Sequence, residues 1–303
     1  MGPLQGGLSG FVRLSLARGA IRHGLLSVPI LFVTGLLLVP LALTFVISFW
    51  KRVGPKIQPD FTLKSYAEFF QGDRLIVLGR ALIVAAEVTT ISLLIAYPIA
   101  YFLSRHAKPP AVRAVLLLFT VPFLVNYILR TFAWTTLLGR TGPINNFLLS
   151  AGLVDAPLDW LLFSDFAVLV GLVTSYMPFM IFPLWLSLNG IDRRLIEASS
   201  LLGARPRTTF LRITLPLSIP GVFAAIIFGF VGSFGDGAVP TILGGVGYQL
   251  MGNTITSALD VLNYPLAAAM SSVVIALMLA LLLCWYSLFD MRSFLGKILR
   301  WRM

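Results

Sequence analysis

Two carboxylates stand inside long apolar runs of this chain: Glu87, within residues 76–103, and Asp236, near the end of residues 217–239. A carboxylate at a bilayer centre costs roughly 2.5–3.5 kcal/mol on insertion scales, so each must face protein or water. Such acids could line a path and draw a cationic solute along it. The competing reading of Glu87 is a structural contact with Arg80 or with a threonine of a neighbouring helix. Around Asp236, the glycines Gly232, Gly235 and Gly237 and the following Pro240 predict a broken helix. Irregular backbone at depth is tolerated only beside protein or a cavity. Asp236 is therefore either a path or gate residue or part of a plain turn at the outer surface. Tyr127, Trp134, Tyr176 and Phe179 offer a second means of holding an amine, through cation–π contact. Each equally fits a membrane-facing aromatic; Trp134 suits an interfacial belt, and Arg130, one turn away, a snorkelling anchor.

Other chemistry is poorly supplied. His23 and His106 are isolated, so no metal site or proton relay is expected. Cys284 is the single cysteine and lies in an apolar run, which excludes a disulfide framework or cysteine-rich metal site. No Gly-x-x-x-x-Gly-Lys-Ser/Thr phosphate loop occurs, so ATP chemistry of that kind would belong to another polypeptide. The net charge of +11 does not point to nucleic acid, because the basic residues cluster at the ends of apolar runs.

The elements that must position these residues are membrane spans. The chain is 58% hydrophobic and 12% charged, against roughly 25% charged residues in a soluble domain. Apolar runs predict six transmembrane helices, at residues 25–49, 76–103, 114–138, 166–188, 217–239 and 266–288. The first is too long for a signal peptide and precedes no small-residue cleavage site, so it reads as a retained span. The small-residue run from Ala267 to Ser272 suits close helix–helix approach. Placing the N-terminus in the cytosol puts fifteen Lys and Arg residues inside and six outside, as the positive-inside rule requires. The outer loop after the first span is the exception, being itself basic. The expected fold is an all-α polytopic membrane protein with both termini cytosolic. Its parts are a cytosolic segment 1–24, a six-helix transmembrane domain 25–290 and a basic cytosolic tail 291–303, in contact with the lipid bilayer.

One cytosolic insert, residues 191–216, interrupts the spans with a polar, basic stretch. Asp192 can cap a helix through Leu195, Glu197, Ala198 and Leu201. Gly203 offers a left-handed stop, and Pro206 fits the first turn of a second helix running towards Pro216. The result is a helix–turn–helix bracket on the cytosolic surface. Without a partner it would be an amphipathic interfacial loop.

Glu197-Ala198-Ser199, then Gly203, then Ile213-x-Leu215-Pro216 resembles the EAA loop of ABC importer permeases, with Ser199 replacing the second alanine. Further segments are similar to spermidine/putrescine-type permeases, among them Tyr97-Pro98-Ile99-Ala100-Tyr101, Gly142-Pro143-Ile144-Asn145-Asn146 and Asn263-Tyr264-Pro265. The likeness covers most of residues 25–290 and implies a six-helix type I importer permease of a bacterial inner membrane. It implies that Glu197, Ala198, Ser199, Gly203 and Ala204 form a turn docking into an ATPase, with Ile213, Leu215 and Pro216 joining it to the fifth span. Implied partners are a second homologous permease, two ATP-binding subunits and an extracytoplasmic substrate-binding protein. The chain would bind no cofactor, with ATP and Mg on the partner ATPase, and would be a conduit rather than an enzyme. The implied cargo is a small amine, a polyamine such as putrescine or spermidine, with opines or a 4-aminobutyrate-like compound as alternatives. An ion-coupled secondary carrier would need paired broken helices and would leave the bracket unexplained. A membrane scaffold without transport predicts neither span charges nor bracket.

Overall fold

The computed structural model describes residues 29, 31–54 and 56–288. The predicted segment 1–24, part of the first span and the tail 291–303 lie outside them. In chain order the elements are α1 (Leu31–Ile47), β1 (Lys51–Val53), β2 (Lys56–Gln58), α2 (Lys64–Gln71), α3 (Arg74–Arg105), α4 (Pro109–Leu124), α5 (Tyr127–Leu138) and α6 (Pro143–Ser150). There follow α7 (Asp165–Asn189), α8 (Arg193–Leu201), α9 (Pro206–Thr209), a π-helical segment Phe210–Thr214, α10 (Leu215–Phe234), α11 (Ala238–Leu243), α12 (Met251–Asp260) and α13 (Tyr264–Leu288).

The chain is mostly helical. One departure from an all-α fold is the antiparallel hairpin β1–β2, which pairs Lys51 with Gln58 and Val53 with Lys56. Four helices are long and apolar enough to cross a membrane: Arg74–Arg105, Asp165–Asn189, Pro206–Phe234 and Tyr264–Ser287. They coincide with four of the predicted spans. Leu31–Ile47 is apolar but shorter. The predicted span 114–138 is not one helix. Val125 is extended at ψ 135°, and the Asn126 side chain accepts from the Ile128 N–H at 2.9 Å, capping a new helix.

The described residues divide into two compact units, one of those up to Glu68 with Asn263–Val273, the other of Phe69–Leu262 with those from Val274 onward. In the first, Phe61 stacks on Phe49 with ring centroids 5.0 Å apart, and the Ser48 and Tyr66 hydroxyls lie 2.7 Å apart. These contacts fold the loop after α1 back over that helix's end.

The second unit is built on α3, α7 and α10, which pack together. Between helices in lipid, close packing rather than water exclusion supplies the attraction. On α10, Gly221, Ala225, Gly229 and Ser233 recur every fourth residue and are buried, a small-residue stripe of the kind that lets backbones approach. A Cβ at Gly229 would come 2.7 Å from Met180 Sδ, so α7 fits against this stripe only because it is bare. Met180, Ile181, Leu184 and Leu188 of α7 are fully buried against Ala96 and Ala100 of α3 and Ala225 of α10. Arg105, ending α3, donates to the Leu188 and Ile191 carbonyls at 3.0 and 3.4 Å. It thereby closes the C-terminus of α7, whose last carbonyls lack helical partners.

Candidate functional site: a buried acid and a helical bracket

The glycine-rich sequence after residue 231 does break the helix. Helix α10 ends at Phe234, and α11 starts at Ala238. In the gap Asp236 is buried, 6% exposed. One carboxylate oxygen, Oδ2, accepts hydrogen bonds from the Tyr127 hydroxyl and, at 2.9 Å, from the Tyr176 hydroxyl. The other, Oδ1, accepts from the Val239 N–H at 3.0 Å, capping the start of α11. Asp236 therefore ties α5, α7 and α11 together at the C-terminal end of α10. Three donors on a buried carboxylate are what a stable buried charge requires. Two glycines make room for the knot. A Cβ at Gly232 would overlap the Tyr176 ring, and one at Gly252 would collide with the Asp236 carbonyl. The Arg130 guanidinium lies 5.5 Å from the Tyr127 ring centroid, within cation–π range.

At the other end of α10 lies the bracket. The Asp192 side chain accepts from the Arg194 N–H at 2.9 Å and caps α8. Gly203 has φ +76°, the left-handed stop its sequence position predicts. Its N–H and that of Ala204 donate to the Ser200 and Ser199 carbonyls. Pro206 opens α9. The departure from the EAA pattern is used: the Ser199 and Thr209 hydroxyls lie 2.8 Å apart, buried, stapling α8 to α9. Glu197 and Ala198 are exposed, and Leu201 and Leu202 are 89% and 87% exposed at the tip. Adjacent leucines so exposed beside Arg193, Arg194, Arg205 and Arg207 make a protruding apolar knob with a basic rim.

The bracket passes into α10 without a break. Pro216 has no N–H to donate and its ring would crowd the carbonyl four residues back, and the helix ahead of it widens to π geometry over Phe210–Thr214, with Leu215 N–H bonding to the Phe210 carbonyl. Ile213, Leu215 and Pro216 are half-buried in this joint. It is fastened to α3 by residues that sequence reading missed. Phe210 meets Tyr97 and Tyr101 edge-on, with centroids 6.0 and 5.6 Å apart, and the Tyr97 hydroxyl lies 2.9 Å from Ser218 Oγ. Tyr97 and Tyr101 are the aromatic ends of the quoted Tyr-Pro-Ile-Ala-Tyr segment; their spacing of four puts both rings on one helix face.

Of the other path candidates, Glu87 is exposed on α3 and has no polar partner among the described residues. The alternative contact with Arg80 does not form. Arg80 instead donates to Asp165 Oδ1 at 2.8 Å, and its guanidinium lies 4.2 Å from the Tyr248 ring centroid. The Tyr248 hydroxyl donates to the same Asp165 oxygen at 2.8 Å. Burial, with the neighbouring carboxylate, raises the pKa of Tyr248 and keeps it a donor. Trp134 is half-buried and Phe179 is 41% exposed; neither hydrogen-bonds to Asp236. Asn145, in the quoted Gly-Pro-Ile-Asn-Asn segment, is fully buried and organises the loop after α5. It donates to the Gly139 and Leu158 carbonyls and accepts from the Leu158 N–H at 2.7 Å.

Comparison with known proteins follows the same outline. Residues 25–292 match the family described as binding-protein-dependent transport system inner membrane component. The spermidine/putrescine transport system permease protein PotB of Haemophilus influenzae is 33% identical over 251 residues, covering 82% of this chain and 87% of that one. PotC of the same organism, also named a spermidine/putrescine transport system permease protein, is 32% identical over 115 residues, 38% of this chain and 45% of its own. Among solved structures, a bacterial ABC transporter involved in the import of the acidic polysaccharide alginate superposes with a TM-score of 0.68 at 17% identity, over 92% of this chain and 99% of that one. At that identity the likeness is one of fold.

Proposed function

The chain belongs to the family of binding-protein-dependent transport system inner membrane components, and from that premise we propose that it is one permease half of an ATP-driven polyamine importer. The chain acts as a conduit and contributes no catalytic residue. Its permease domain covers residues 25–290, with six spans and both termini on the cytosolic face of a bacterial inner membrane. A second homologous permease completes the pathway; likeness to both PotB and PotC supports such a pair. Two ATPase subunits, holding ATP and Mg, drive it, and an extracytoplasmic binding protein delivers cargo.

The observation that carries this reading is the mechanical continuity from bracket to buried acid. The knob at Leu201 and Leu202 offers an ATPase cleft something to grip. Glu197, Ala198, Ser199, Gly203 and Ala204 form the docking turn, and Ile213, Leu215 and Pro216 pass its motion on. Helix α10 is 20 residues long, a rod of about 30 Å, with the bracket at one end and Asp236 at the other. Phe210 and Ser218 pull α3 along with it. A swing of the bracket thus reaches the Tyr127–Asp236–Tyr176 knot as a displacement of α10.

The two acids then differ in role. Asp236 is occupied by three donors and serves as a gate latch whose bonds part when the outer side opens. Glu87 is unpartnered on an outward face of α3, and lipid is too costly a neighbour for it. It faces the water-filled path and attracts the cationic cargo, with Trp134 and Phe179 as aromatic neighbours of that path.

Reconstituted with its partners in proteoliposomes, the complex should show ATPase activity stimulated by the binding protein loaded with putrescine or spermidine. Uptake should be blocked by excess polyamine and not by 4-aminobutyrate or an opine. Stimulation by those competitors alone refutes the cargo. Activity without any co-purifying ATPase refutes the class.

A further inference from the structure

The basic outer loop that runs against the charge rule has a structural consequence. Within the first unit, the hairpin and the start of α2 enclose a cavity of about 220 Å³. Three cations line it, Lys51, Arg52 and Lys64, against one carboxylate, Glu68. Lys51 and Lys64 have no acidic partner among the described residues. The Arg52 Nε donates to the Gly54 carbonyl at 3.0 Å, which holds that side chain across the hairpin turn.

The remaining lining is rich in donors. Thr62 Oγ1 accepts from the Lys64 N–H at 3.2 Å, so its own proton is left to donate. Asn263 Oδ1 accepts from the Leu266 N–H at 3.4 Å, which leaves its amide NH2 for a ligand. The Ser65 hydroxyl and the Trp50 indole complete the wall. A net positive cavity furnished with O–H and N–H groups selects an anion with several acceptor oxygens. It repels a polyamine, so it is no part of the cargo route.

The chain leading to the cavity says which anion. Near its cavity end helix α1 presents Leu43, Phe45 and Val46, 54%, 55% and 47% exposed, a surface fit for acyl chains. That helix ends at Ile47, and Trp50 and Lys51 follow within four residues, where hydrocarbon gives way to headgroups. We propose that the cavity at Lys51, Arg52 and Lys64 is a binding site for the phosphodiester of an anionic phospholipid of the outer leaflet, anchoring the loop after α1 at the membrane surface. The leaflet rests on the topology in the proposed function; the headgroup chemistry does not.

The test uses the assembled complex in nanodiscs of phosphatidylglycerol or phosphatidylcholine, with retained lipid counted by native mass spectrometry. Wild type should retain phosphatidylglycerol preferentially. Lys51→Gln with Lys64→Gln should reduce that preference about 25-fold, at about fivefold per basic residue removed, with ATPase co-purification unchanged. Equal retention of both lipids by wild type, or an undiminished preference in the variant, overturns the site. Binding of inorganic phosphate in phosphatidylcholine nanodiscs, with no lipid preference, overturns the headgroup assignment in favour of a free anion. A variant that keeps its lipid preference but loses affinity for the binding protein assigns the cavity to an acidic protein surface, and also overturns it. A separate arm places the loop: Asp60→Cys on a Cys284→Ser background should react with an impermeant maleimide outside intact spheroplasts. Reaction only after permeabilisation overturns the outer leaflet and the topology, while leaving the lipid count to judge the headgroup.

Discussion

Replacing Gly232 by alanine should untie the Asp236 knot from a distance. The methyl group would overlap the Tyr176 ring, so the ring must tilt away, and its hydroxyl now sits 2.9 Å from Asp236 Oδ2. A displacement of roughly 1 Å takes that contact beyond hydrogen-bond range. Overpacking alone costs about 1–3 kcal/mol. Interhelical hydrogen bonds in bilayers average about 0.6 kcal/mol with a ceiling near 1.7, and the carboxylate acceptor puts this one near the ceiling. Gly232→Ala should therefore cost about 2.5–4.5 kcal/mol and Tyr176→Phe about 1.5. Because the alanine already breaks the bond, the double variant should fall short of additivity by about 1.5 kcal/mol. Tyr176→Ala, which vacates the space, should relieve the steric part. Equilibrium unfolding in mixed micelles of increasing SDS fraction reads these values, and uptake by the same variants reads the gate. Gly232→Ala within about 0.5 kcal/mol of wild type, or full additivity with Tyr176→Phe, would refute the geometry.

Phe210→Ala removes two edge-on ring contacts worth about 0.5–1.5 kcal/mol each, so uptake per ATP hydrolysed should fall about tenfold while basal ATPase activity stays. Parallel assays of phosphate release and labelled polyamine entry check this. Glu87→Gln should raise the KM for a polyamine about tenfold, as the loss of about 1.4 kcal/mol of attraction would. Assembly with the partner subunits, followed by size-exclusion chromatography, should be untouched. Asn145→Ala takes three hydrogen bonds from the loop after α5, about 2–3 kcal/mol in all. Limited proteolysis should then cut between residues 139 and 158, where wild type resists.

Much of this arrangement was legible because it rests on local rules. Gly203 as a left-handed stop, Pro206 opening a helix, Asp192 as a cap and the glycine-rich break at Asp236 each depend on residues close by in sequence. Four apolar runs became four long helices for the same reason. The break at Asn126 was hidden because 114–138 is mostly apolar, and a single capping amide decides it. The three donors of Asp236 come from α5, α7 and α11, and only packing brings them together. A contact of Glu87 with Arg80 was one of the readings open to the sequence; Asp165 and Tyr248 claim Arg80 from distant elements. The staple between Ser199 and Thr209 was visible only as a departure from a family pattern, with nothing to say what the extra hydroxyl reached.

The central claim is that a separate ATPase grips the bracket. It is tested most directly by placing a cysteine at Leu202, on the Cys284→Ser background, and adding to the assembled transporter a crosslinker reactive to a thiol at one end and to amines at the other. Leu202 is almost fully exposed at the tip and points away from the helix core, so the substitution itself should leave uptake intact. The account predicts a crosslink to the ATPase subunit whose yield changes between nucleotide-free and ATP-bound states. A crosslink to lipid or to nothing, with transport still running, would contradict it.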